Sequence, residues 1–197
     1  ASKRDETAQG FILNLQSGYT EGTVGFGLDA LGMLGLKLDS SPADSNSGLL
    51  PSTGSDPRRS KDQYAKGGLT AKMRVSKTVL KYGNLLPDLP LLKYNDGRLL
   101  PTTFNGALLN SEEIRHLKFM AARLNRYTAR DSTDREEVRL NCKNKRYGCG
   151  ISTGHFDMYG LDYRFGERLS VQYHYGELED IYRQHFLGLQ ASQPLGA

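Results

Sequence analysis

Hydrophobic and polar residues alternate along most of this chain. The clearest run is Thr23 to Asp39, TVGFGLDALGMLGLKLD. Val24, Phe26, Leu28, Ala30, Leu34, Leu36 and Leu38 share one parity. Thr23, Gly25, Gly27, Asp29, Lys37 and Asp39 share the other, which Leu31 and Met33 interrupt. Successive side chains of a strand point to opposite faces, so the alternation predicts a β-strand. Glycines at 22, 25, 27, 32 and 35 speak against a helix. The run is long beside the strands of soluble proteins, which average about 5–6 residues. It suits a strand that crosses a bilayer and continues beyond it.

The pattern recurs. Leu69, Ala71, Met73 and Val75 oppose Tyr64, Lys66, Thr70, Lys72, Arg74 and Ser76. Leu117, Phe119 and Ala121 oppose His116, Lys118 and Met120. Tyr159, Leu161, Tyr163 and Phe165 oppose Met158, Gly160, Asp162 and Arg164. Leu169, Val171, Tyr173 and Tyr175 oppose Ser170, Gln172, His174 and Gly176. Phe11, Leu13 and Leu15 oppose Asn14 and Gln16, with Ile12 out of pattern. About eight strands are expected in all. The connections are of two kinds. SGYTEG (17–22), SKT (76–78) and FGE (165–167) read as tight turns, whereas 40–62, 84–113 and 128–154 read as long loops. Short turns at one end and long loops at the other are the layout of an outer-membrane barrel. A soluble β-sandwich or a lipocalin-like barrel also alternates, and its polar face would meet solvent.

Composition narrows the class. Hydrophobic residues make up 38% of the 197, with 22 Gly, 11 Tyr and no Trp. So many tyrosines argue against disorder, and so many glycines suit an all-β chain with many turns. The net charge of +4 comes from 26 basic and 22 acidic residues, mixed along the chain. That argues against nucleic acid, which calls for a concentrated basic patch. No apolar run is long enough for a membrane helix.

Sites for chemistry are few. Cys142 and Cys149 bracket KNKRYG in a hydrophilic loop. A local disulfide is the simplest reading, with a free or metal-bound pair as the alternative. The spacing is not that of a zinc finger, and no metal or cofactor is expected. His116, His155, His174 and His185 are scattered. There is no His-x-x-x-His, no G-x-S-x-G and no P-loop. GFGLDALG continues as alternating strand rather than opening a helix, which rules out a dinucleotide loop. The protein is not expected to be an enzyme. The basic residues on polar faces are more informative: Lys72 with Arg74, and His116 with Lys118. On a soluble sheet they are solvated surface. In a closed barrel they face the lumen and concentrate anions there.

Four stretches carry a resemblance: GFILNLQSGYTEGTVGFGLDALGMLGLKLDS, GLTAKMRVSKTVLKYG, YNDGRLLPTTFNGALLNSEEI and YGELEDIYRQHFLG. In order and spacing, from about Gln9 to Gly188, the chain resembles the OprD family of outer-membrane porins, the carboxylate channels. The resemblance implies a transmembrane antiparallel β-barrel of about eighteen strands in the bacterial outer membrane, with 1–197 as a single incomplete barrel domain. The chain is then a fragment, or a truncated product, of the amino-terminal half. Loop 40–62 is extracellular, and 84–113 is the inward-folded constriction loop. Within it, Arg98 corresponds to a ladder arginine, Asp96 to the acidic pocket position, and Tyr94 and Asn95 flank them. Lys72, Arg74 and Lys118 are assigned to the ladder on strand parity alone. The implied function is selective passive uptake of small carboxylate-containing nutrients: basic amino acids, small peptides, or organic and aromatic acids. The implied partners are membrane lipid, lipopolysaccharide and those solutes, in a monomer or loose trimer. The competing function is a soluble or membrane-anchored β-domain that binds a ligand or partner through its loops without transport.

Overall fold

The computed structural model describes residues 7–39, 50–53, 56–93, 99–128, 133, 136–139 and 152–192. In chain order the strands are β1 (Thr7–Gln16), β2 (Val24–Asp39), β3 (Ser52–Thr53), β4 (Asp56–Ser60), β5 (Gln63–Val75), β6 (Thr78–Leu85), β7 (Asp88–Leu89) and β8 (Leu92–Lys93). They continue as β9 (Thr103–Ser111), β10 (Leu117–Thr128), β11 (Glu136–Arg139), β12 (Ser152–Thr153), β13 (Phe156–Phe165), β14 (Leu169–Leu178) and β15 (Tyr182–Ala191). No helix occurs among the described residues. The long strands form one meander in the order β1-β2-β5-β6-β9-β10-β13-β14-β15, each antiparallel to the next. Two short hairpins, β3-β4 and β7-β8, stand apart from it.

The meander has nine long strands where alternation suggests about eight. β9 lies inside the 84–113 span assigned above to the constriction loop, so that loop is shorter, 86–102. The reason lies in packing. Leu108 faces a covered part of the sheet while its neighbours Ala107 and Leu109 face the other way, so the period-2 signal vanishes. In β6 the break is conformational. Gly83 sits at φ +136, and a Cβ there would lie 2.1 Å from the Leu69 carbonyl oxygen. Only glycine fits both the backbone angle and the approach. After it, Asn84 and Leu85 are both buried.

The two faces differ sharply. One carries Phe11, Leu13, Phe26, Leu28, Leu69, Tyr82, Leu161, Leu187 and Leu189, all exposed. We call this the outer face. The inner face packs against described residues of the connection between β6 and β9. Leu100, fully buried, joins Met33, Leu50 and Tyr64, with Leu31 and Leu99 at the margin. Leu31 and Met33, which interrupt the alternation of β2, are thus seats for this loop. Leu89, Leu91 and Leu92 cover a second cluster of Leu85, Met120, Ala122, Leu124, Phe156, Met158 and Leu178. The inner face is therefore apolar where this connection docks, at Leu31, Met33 and Tyr64 of β2 and β5 and at Met120, Leu124 and Met158 of β10 and β13, and polar at Asp29, Thr70, Lys72 and Lys81.

At the short-turn end Glu113 ties two turns together. Its Oε1 accepts the Lys77 N–H at 2.7 Å and the Thr78 hydroxyl at 3.0 Å, and its Oε2 accepts the Ser76 hydroxyl at 3.0 Å. The Lys77 N–H and the Ser76 hydroxyl hold the Glu113 carboxyl below its ordinary pKa. A depressed folded-state pKa means that the contribution is complete above the unfolded value and is lost as pH falls through the folded one. Protection of the Lys77 amide against hydrogen exchange, corrected for intrinsic rate, should therefore fall below the ordinary carboxylate range. In Glu113→Gln it should be low and flat with pH.

Candidate functional site

The polar strip on the inner face begins at an irregular turn. The pairing of β1 with β2 continues past Gln16: Ser17 N–H donates to Leu28 O, and Thr20 N–H to Phe26 O. Three steps on one strand match two on the other, so Gly18 and Tyr19 bulge out of line. They fold over Gly25 and Gly27, where an added Cβ at Gly27 would lie 2.5 Å from the Gly18 carbonyl oxygen. The Tyr19 ring then lies beside the next strand. Its centroid is 5.0 Å from Lys72 Nζ and 4.6 Å from the Arg74 guanidinium carbon, both within cation–π range.

Lys72 is buried and fully engaged. Its Nζ donates to Asp29 Oδ1 at 2.5 Å and to the Ser17 carbonyl at 2.6 Å. Its charge is neutralised by Asp29, itself 14% exposed. The parity assignment of Lys72 to the inner face holds, but Lys72 locks the turn rather than offering a free cation. Arg74 is exposed and shares the Tyr19 ring.

The neighbour across the ladder is different. Lys81 of β6 pairs in register with Lys72, which puts it on the same face. Among the described residues it has no ion pair. It lines a cavity of about 220 Å³ with Asn14, Gln16, Asp29, Thr70 and Asn84. Asn84 Oδ1 is buried there without a hydrogen-bond partner, while Thr70 Oγ1 donates to the Asn84 carbonyl at 2.6 Å. An ammonium with no ion pair among the described residues suits a small solute that carries a carboxylate. Sequence reading passed over Lys81, Asp29 and Tyr19. The register of β6 with β5 sets Lys81 on the inner face.

Lys118 does not join this group. It lies on β10, three strand spacings from β5, or about 14 Å. Its Nζ is 3.0 Å from Glu112 Oε1 at the short-turn end. There it lines a hollow of about 510 Å³ with Lys77, Arg115, Asp162 and Arg164. Deeper on the same wall His174, 3% exposed, sits 2.9 Å through Nε2 from Asp162 Oδ1. The constriction candidates Tyr94, Asn95, Asp96 and Arg98, and the cysteines Cys142 and Cys149, lie outside the described residues.

Residues 1–197 match the family described as outer membrane porin, OprD family. The chain is 37% identical over 195 residues to the porin-like protein GalP of Pseudomonas putida, covering 98% of this chain and 46% of that protein. A crystal structure of Pseudomonas aeruginosa OccK9 (OpdG) superposes with a TM-score of 0.91 at 43% identity, over 98% of this chain and 48% of that one. A structure of Pseudomonas aeruginosa OpdK with vanillate gives 0.86 at 42% identity, with the same coverage. The chain thus spans about half the length of the relatives it matches.

Proposed function

The chain belongs to the OprD family of outer membrane porins, and from that premise we propose that it forms part of the wall of a channel for small carboxylate-containing solutes. The inner face is then the lumen and the outer face meets lipid. The observation that carries the reading is the inner-face row of Asp29, Lys72 and Lys81. One lysine neutralises the acid, and the other, without an ion pair among the described residues, lines a cavity with Asn84. In a narrow, low-dielectric lumen an unpaired cation attracts a carboxylate without holding it as a buried ion pair would. Aromatic and organic acids are the class we favour over basic amino acids and peptides. Vanillate, an aromatic carboxylate, accompanies the similar OpdK structure.

Arg98 is assigned the tighter contact at the constriction, since its planar fork holds a carboxylate by two hydrogen bonds. Asp96 rejects bare anions that lack a group to meet it. Tyr94 and Asn95 flank the pair, and Arg74 and Lys118 supply charge nearer the short-turn end. A monomer or a loose trimer, each barrel with its own pore, suits a lumen that needs no second copy.

The test is a planar-bilayer recording on the full-length protein, with vanillate as the blocking probe. Vanillate should reduce conductance, and Arg98→Ala and Lys81→Ala should each weaken the block. A charge-assisted hydrogen bond is worth about 1.5–3 kcal/mol, so the expected loss is tenfold or more. Unchanged block in both variants refutes the roles given to them. Absence of any conductance refutes the channel.

A further inference from the structure

The turn between β1 and β2 is pinned to the wall by four hydrogen bonds. The Ser17 and Thr20 N–H groups donate to the Leu28 and Phe26 carbonyls. In return the Phe26 N–H donates to Thr20 Oγ1 at 2.9 Å, and the Leu28 N–H to Ser17 Oγ at 2.8 Å. A Cβ on Gly25 would lie 3.0 Å from the Tyr19 Cβ, so the glycine lets Tyr19 lie against the inner face. The ring is half-buried, and the backbone beneath it is held in place.

Arg74 reaches this ring with no acid to meet. In register it faces Gly25 on β2 and Val79 on β6. Asp29, four residues further along β2, is already taken by Lys72. Among the described residues Arg74 has no ion pair, and its contact is the Tyr19 ring, 4.6 Å from the guanidinium carbon. Stacking on a ring occupies the face of a guanidinium and leaves its in-plane N–H donors open. That open edge is the one that grips a carboxylate by two hydrogen bonds. A long arginine chain gives up rotamer freedom when it binds, and a ring that already holds it removes part of that cost.

The place of the pair along the wall adds to this. The connection between β6 and β9 packs against Leu31, which pairs with Gly68. Arg74 lies six residues beyond Gly68 on β5, about 20 Å along the strand toward the short turns. A solute moving from the long-loop end to the short-turn end meets it after the docked connection.

We propose that Tyr19 is a positioning residue: its ring holds the Arg74 guanidinium with an open edge to the lumen, making a second carboxylate station on the short-turn side of the docked connection. The inference rests on the carboxylate-channel reading and deepens it. A carboxylate spans the fork with two oxygens, whereas chloride meets the same charge without the second hydrogen bond.

The test is a planar-bilayer recording on full-length protein, with vanillate added on the short-turn side at constant chloride. The half-blocking concentration should rise about two- to five-fold in Tyr19→Leu, as expected for loss of one exposed cation–π contact. Tyr19→Phe keeps the ring and should block like the parent. In an Arg74→Gln background Tyr19→Leu should cost nothing further, because the ring acts through Arg74. Arg74→Lys keeps the charge and leaves the turn untouched, yet it loses the fork and should weaken the block at least as much. Parent-like block in a conducting Tyr19→Leu or Arg74→Lys overturns the proposal. So does a loss that persists in the Arg74→Gln background, which would give the ring a role of its own. Failure of vanillate to block the parent from either side refutes the carboxylate reading together with this inference. A blocked parent with unmoved variants refutes this inference alone.

Discussion

Lys72→Met should destabilise the full-length barrel by about 3 kcal/mol, the lower end of the range for removing one partner of a buried ion pair. The lower end applies because Asp29 keeps 14% of its surface exposed. The substitution strips the ammonium from Asp29 and from the Ser17 carbonyl together. It also removes one of the two cations beside the Tyr19 ring. The turn that Ser17 and Tyr19 form against β2 should loosen with it. Urea unfolding in detergent micelles measures the stability, and proteolysis within 17–22 reports the turn. Lys72→Met/Asp29→Asn leaves no unpaired charge and should recover most of the loss. A single variant as stable as the parent would show that Lys72 is a free lumen cation after all.

Gly83→Val should be the more damaging change for assembly. Its φ of +136 is nearly closed to a β-branched residue, at a cost of about 1–3 kcal/mol before any contact is counted. A Cβ would then meet the Leu69 carbonyl oxygen at 2.1 Å and the Thr70 Cα at 2.9 Å. Both are backbone atoms of the neighbouring strand and cannot swing aside. The β5-β6 pairing, in which Thr70 faces Gly83, should open. The folded fraction, read from heat-modifiable mobility on gels, should fall steeply. Gly18→Ala, where nothing lies within 4 Å of an added Cβ, should fold like the parent. Normal folding of the valine variant would mean that β6 does not need this irregularity.

Much of the wall could be read without coordinates. Phe26, Leu28 and Leu69 on one parity, against Asp29, Thr70 and Lys72 on the other, assign both faces of β2 and β5 correctly, because a period of two is imposed by the strand itself. The tight turns at 76–78 and 165–167 are legible for the same local reason. β9 is not. Leu108 points inward and is apolar because it packs into the cluster that the preceding connection covers, and alternation within β9 cannot register a cover from outside the strand. Met33 and Leu31 are exceptions of the same origin.

The cations divide along that line too. That Lys72, Arg74 and Lys118 face inward follows from their positions in their own strands. Their chemical standing does not. Lys72 is neutralised by Asp29 because β2 and β5 lie in a register that sets Asp29 opposite Thr70, one diagonal step from Lys72. Among the described residues Lys81 has no ion pair, since its register neighbours are Lys72 and Leu108, neither of which carries an acid. Local periodicity tells a side chain which way to point. Whether its charge is spent is set by the strand beside it, and register between strands is a long-range property of the folded sheet.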